Sequence, residues 1–72
     1  MLTLVDILVD EKHSGAVRQK LLDIGAWVLS SELNNNSYAV KGYISSLQLD
    51  DFSYWLAVET GGTGSLNVSN PR

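Results

Sequence analysis

His13 is the only histidine in the chain, and there is no cysteine. An imidazole that catalyses or ligates a metal needs a second group at ligand spacing, and none stands there. His13 therefore reads as a solvated residue ahead of a helix. Asp50 and Asp51 are the obvious paired acids, but neighbours on a helix point about 100° apart. Negative charge in the first turn of a helix explains them better, because it complements the helix dipole. Asp10–Glu11 reads as a solvated loop run. The glycine-rich stretch Thr60–Gly61–Gly62–Thr63–Gly64–Ser65 invites comparison with phosphate-binding loops. It lacks the lysine of such a loop, and it follows a helix and enters a strand. An anion site of that type needs the opposite order, with a helix N-terminus facing the phosphate. The stretch is a helix stop and a tight turn. The inventory predicts no catalytic residue, no metal site and no cofactor.

The elements that would position these residues follow from periodicity. Leu2–Val9 alternates, with Thr3, Val5, Ile7 and Val9 on one side and Leu2, Leu4, Asp6 and Leu8 on the other. Asp6 marks the second side as the outer one. From Ser14 the apolar spacing changes to Val17, Leu21 and Ile24, a helical stripe with Ser14 as expected N-cap and Gly25 just past the end. Trp27–Leu33 returns to strand composition, and Asn34–Asn35–Asn36 is the clearest turn signal. Beyond it Tyr38, Val40, Gly42 and Ile44 alternate with Ala39, Lys41, Tyr43 and Ser45, which completes a hairpin. Ser45–Ser46–Leu47–Gln48 has the form of a capping box for a second helix through Leu49, Phe52 and Leu56, with Trp55 beside them. A short strand, Ser65–Val68, precedes the tail Ser69–Arg72.

That order is β-α-β-β-α-β, the ferredoxin-like pattern of class α+β. It predicts a two-layer sandwich with a four-stranded antiparallel sheet and both helices on one face. Residues 1–72 then form a single domain, which suits a chain short enough to bury only about 60% of its unfolded surface. The other sheet face stays open and would carry Leu2, Leu4 and Leu8 with at least one hairpin aromatic, a candidate docking or dimer interface. The apolar runs Leu4–Val5 and Ile7–Val9 are split by Asp6 and fall far short of a membrane span. No basic segment precedes them, so they form no secretion-signal pattern. Five basic against eight acidic residues give a net charge of −3, the wrong sign for a surface that attracts phosphate throughout.

Two chemistries known on this strand order find little support. Lys41–Gly42–Tyr43 matches the first three positions of an RNA-binding strand motif, but Ile44 and Ser45 break it, and the first strand has no aromatic to stack a base. Acylphosphatases need an arginine-bearing loop straight after the first strand. Here that segment is Asp10–Glu11–Lys12–His13, and the first arginine is Arg18, inside the helix.

From about Tyr38 to Ser69 the chain resembles the C-terminal domain, domain V, of the elongation factor G family of translational GTPases, which includes the tetracycline-resistance ribosomal protection proteins. In that family a hairpin strand leads through a turn into a helix that ends in Leu-Thr-x-Gly-x-Gly-Ser/Thr and a final strand. The corresponding residues are Phe52 and Leu56 on the helix, then Thr60, Gly62, Gly64 and Ser65. The spacing from Ile44 to Ser65 needs no gap. The first half is similar in layout, with Gly15 and Val17 opening the helix and Gly25 before the second strand.

The resemblance implies the ferredoxin-like fold and a non-catalytic module of a large cytoplasmic GTPase. Such a module contributes to ribosome binding and to interdomain coupling during translocation or ribosomal protection. Its expected partners are the ribosome and other domains of the parent, with no membrane. On this chain Arg18, Lys20 and Thr63 would face the ribosome, and the open sheet face would meet other domains. Ser45 stands where the family often has proline, and Thr63 where it has a basic residue. With the acidic balance, that second departure argues against direct contact with RNA. The chain would be an excised C-terminal domain or a free-standing relative. The competing reading is a free-standing regulatory or assembly domain that acts through its open sheet face, as a homodimer or on a small effector.

Overall fold

The structure, a computed structural model, describes residues 1–69. Most of the tail expected after the last strand, from Asn70 on, lies outside the described residues. The elements are β1 (Leu2–Asp10), a 3₁₀ turn (Glu11–His13), α1 (Ser14–Asp23), β2 (Trp27–Asn34), β3 (Ser37–Ser45), α2 (Leu49–Thr60) and β4 (Ser65–Val68). The sheet order is β2-β3-β1-β4, and β1–β3, β1–β4 and β2–β3 are all antiparallel. This is the ferredoxin-like α+β sandwich, with each helix crossing over a strand that belongs to the other half of the chain.

Alternation in β1 and β3 decides which face the helices cover. Val5, Ile7 and Val9 meet Tyr38, Val40 and Ile44 beneath Val17 and Leu21 of α1 and Phe52 and Leu56 of α2, all buried. Side chains of this size each contribute about 1.5–3 kcal/mol on burial, so few can be spared in so small a core. Phe52 stacks at a tilt on Trp55, ring centroids 5.7 Å apart, and Lys20 lies 5.5 Å from the centre of the Trp55 ring. That cation–π contact ties α1 to α2 across the outer surface of the helix layer.

Both helices end as the glycines foretell. Gly25 and Ala26 donate to Leu22 and Leu21, and Gly61 and Gly62 donate to Val58 and Ala57, the paired bonds of a Schellman motif. The helix starts differ from expectation. Ser14 is already helical, and the side chain that caps is Asp10, whose carboxylate accepts from the Lys12 N–H at 2.9 Å and so caps the 3₁₀ turn. No capping box forms at Ser45–Gln48. Ser45 Oγ accepts from Leu47 N–H, while the helix opens four residues later at Leu49 without a side-chain cap. The reason is that Ser45 remains in the β3 ladder, opposite Leu2, one full turn ahead of the helix.

Strand β2 is exposed at all eight residues, including Val28, Leu29 and Leu33. It is an edge strand that the helix layer leaves uncovered. A register shift between Val28 and Ser30 makes Leu29 a bulge residue. The Asn35–Asn36 turn joins it to β3, with Asn35 at φ 55°. Asparagine tolerates this left-handed conformation better than most residues.

Candidate functional site

Residues directly opposite in an antiparallel ladder share a face, so the register maps the uncovered side of the sheet as rows. Leu2 pairs with Ser45 at one end. The next row is Trp27, Tyr43 and Leu4, running across β2, β3 and β1. Then come Ser30, Lys41, Asp6 and Asn67, and after them Glu32, Ala39, Leu8 and Ser65. The expected trio Leu2, Leu4 and Leu8 is on this face, but the polar row splits it. Leu2 and Leu4 join the aromatics, whereas Leu8 lies beyond Asp6.

Trp27 is 66% exposed and Leu2 55%, so the apolar end of this face is open to solvent. The polar row carries an ion pair, Lys41 Nζ to Asp6 Oδ1 at 3.8 Å, with both side chains about half exposed. Exposed pairs of this kind add at most about 1 kcal/mol. A shallow depression of about 480 Å³ overlies the two polar-bearing rows, lined by Asp6, Leu8, Glu32, Lys41 and Asn67 among others. It can take a polar group, and Trp27 with Tyr43 can take an apolar or planar one.

Gly42 has a structural reason of its own. A Cβ at this position would stand 2.6 Å from the Trp27 carbonyl oxygen and 3.1 Å from Val28 Cα. The bulge in β2 presses that backbone against β3, so Lys41–Gly42–Tyr43 owes its glycine to strand packing.

The signature Thr60, Gly62, Gly64, Ser65 forms the joint between α2 and β4. Thr60 is the buried polar side chain of the described residues. Its hydroxyl donates to the Leu56 carbonyl at 2.8 Å and accepts from the Gly64 N–H at 2.9 Å, while Thr63 Oγ1 donates to the Thr60 carbonyl at 2.8 Å. Gly61 and Gly62 take positive φ, 64° and 87°. Gly64 does not, which differs from a turn in which every glycine serves backbone freedom. It is needed for space, since a Cβ there would lie 2.9 Å from Thr60 Oγ1 and 3.3 Å from Val9 Cγ1. Ser65 then opens β4 opposite Leu8.

Arg18, Lys20 and Thr63 do not form one patch. Residues two apart on a helix point about 200° apart, and Arg18 and Lys20 lean to opposite flanks of α1. Arg18 borders a cleft against β2 with Leu22, Val28 and Tyr38, whereas Lys20 turns to Trp55 of α2. Thr63 borders a depression at the far strand ends with Asp10, Lys12 and Asn36. Its basic neighbour is thus Lys12, a residue that no sequence pattern singles out. The α1–β2 cleft is equally invisible in sequence, because it depends on which strand takes the edge. His13 sits half-buried in the 3₁₀ turn, and among the described residues no three His, Cys, Asp or Glu gather as metal ligands would.

No protein-family model matches the chain, and no curated protein matches it. Among solved structures it is similar to the crystal structure of ttk003000868 from Thermus thermophilus, with a TM-score of 0.81 and 17% identity. The likeness is one of fold. It covers 99% of this chain and 11% of that one, so the fold also occurs as a small part of a much longer polypeptide. No helix among the described residues is long and apolar enough to cross a membrane.

Proposed function

We propose that the chain is a non-catalytic binding module of the elongation factor G domain V type, which contributes to ribosome binding and to interdomain coupling in a translational GTPase. The observation that carries the reading is the Thr60–Ser65 joint. The residues that resemble the family signature interlock through the Thr60 hydroxyl and the close approach of Gly64, so they act as a unit rather than as scattered turn residues. The similarity to a segment of a longer Thermus thermophilus chain supports a modular setting. In this reading Arg18 and Lys20 serve two different flanks of α1, and Thr63 acts beside Lys12. Contact with RNA is then confined to isolated cations on an acidic domain, and protein surfaces take the larger share. The test is co-sedimentation of the chain with 70S ribosomes. The expected result is pelleting at low salt that drops in Arg18→Glu and in Lys20→Glu. Pelleting of both variants equal to that of the unaltered chain, or none by the unaltered chain, contradicts it.

A second reading has its own observation, the solvent-open row Trp27–Tyr43–Leu4 with Leu2. A free-standing assembly domain would cover that row with a second copy. Light scattering decides it: a dimer that Trp27→Ser converts to a monomer supports the second reading, and a monomeric parent chain removes it.

A further inference from the structure

The flank between α1 and the outer edge of β2 combines three features, of which the ribosome reading uses only the third, Arg18. The first is an uncovered edge. Strand β2 runs for eight residues without lysine or proline, the residues that natural edges use against pairing. Its defences are the single charge of Glu32, which points to the far face of the sheet, and the bulge at Leu29, which leaves Ser30–Asn34 in regular register. Outside the sheet ladder, none of its backbone groups has a backbone partner among the described residues. The opposite edge, β4, is only four residues long.

The second feature is a cleft of about 230 Å³ on the helix side of that edge, bordered by Arg18, Leu22, Val28, Ser31 and Tyr38 among others. Leu22 is 74% exposed and Val28 44%, so its walls are largely apolar and open to solvent. The third is charge. Arg18 stands at this cleft without a carboxylate within ion-pair distance among the described residues. Asp23, the single acid of α1, accepts from Gln19, and Glu32 shares a row with Ala39 and Leu8 on the far face of the sheet.

We propose that this flank binds an extended polypeptide strand. The strand pairs with the outer edge of Ser30–Asn34, seats one apolar side chain in the cleft and presents a carboxylate to Arg18. Backbone bonds to an exposed edge give such a complex its affinity, and side-chain pockets on alternate residues give it specificity. A second copy of the chain fits less well. The helix-facing residues of its β2 are Val28, Ser31 and Leu33, all uncharged, so β2-to-β2 pairing would leave both Arg18 side chains unmatched.

The experiment uses the 72-residue chain and a phage-displayed library of random 12-residue peptides, with enriched sequences synthesised and titrated into ¹⁵N-labelled protein. The expected peptides carry an acidic residue two positions from an apolar one, and they shift the amides of Ser30–Asn34. Arg18→Glu weakens their binding tenfold or more, whereas Lys20→Glu changes it less than twofold. Leu22→Ser, at an exposed position, gives a second weakening variant should Arg18→Glu fail to fold. No enrichment overturns the proposal, as do peptides without acid, binding indifferent to Arg18→Glu and Leu22→Ser, or shifts confined to other strands. Shifts at Ser30–Asn34 that appear with protein concentration alone assign the edge to a second copy and also overturn it. Ribosomes are absent throughout, so the outcome is independent of the translation reading.

Discussion

If the α2–β4 joint is interlocked as described, Thr60 and Gly64 cannot be altered independently. In Thr60→Ala the Gly64 N–H loses its acceptor in a partly buried setting, which costs about 1–3 kcal/mol, and the loss of a buried methyl adds about 0.8 kcal/mol. In Gly64→Ala the new Cβ meets Thr60 Oγ1 at 2.9 Å, Thr60 Cγ2 at 3.1 Å and Val9 Cγ1 at 3.3 Å. Overpacking of this kind costs about 1–3 kcal/mol. Two of those three contacts are to atoms that Thr60→Ala removes. The double variant should therefore be less destabilised than the sum of the singles, by about 1–2 kcal/mol, within the range for residues in direct contact. Urea unfolding of the four proteins measures this, in sucrose throughout because a domain of this size has only about 3–5 kcal/mol to lose. With a slope near 1 kcal/mol per molar urea, the coupling appears as a midpoint displaced by about 1–2 M from additivity. Additive costs, or a Gly64→Ala variant as stable as the parent, would refute the interlock.

Three further outcomes follow from the same structure. Asn35→Ala should cost about 1 kcal/mol, because alanine in the left-handed turn conformation has neither the freedom of glycine nor the tolerance of asparagine; Asn35→Gly should restore stability in the same thermal melts. A double-mutant cycle on Asp6→Asn and Lys41→Met should give a coupling below about 1 kcal/mol that vanishes in about 1 M salt. Phe52→Ala, at a ring 1% exposed, should cost about 3–5 kcal/mol and leave the chain unfolded by circular dichroism at about 25 °C.

Much of the fold was legible because local chemistry and global topology agree. Val5, Ile7 and Val9 alternate against Asp6, Val17 and Leu21 share a stripe, and the asparagine triplet marks the turn, although Asn34 itself ends β2 and only Asn35–Asn36 turn. What the sequence conceals depends on pairing between distant residues. The bulge at Leu29 exists only relative to Gly42, and the role of Gly64 only relative to Thr60 and Val9. Ser45 reads as a helix cap because the capping pattern is local, but its place in the ladder opposite Leu2 outweighs that preference. The divergence of Arg18 and Lys20 is readable from their spacing, since two residues on a helix face nearly opposite ways. The apolar row Trp27–Tyr43–Leu4 is only half visible: alternation assigns Leu4 its face, and the partner strands come from the register.

The central claim, a module of the elongation factor G domain V type, predicts a shared binding place. The most direct measurement is the affinity of the fluorescently labelled chain for 70S ribosomes with and without excess elongation factor G held on them. The account predicts binding that the factor displaces. Binding that persists unchanged under saturating factor, or no binding at low salt, would contradict it.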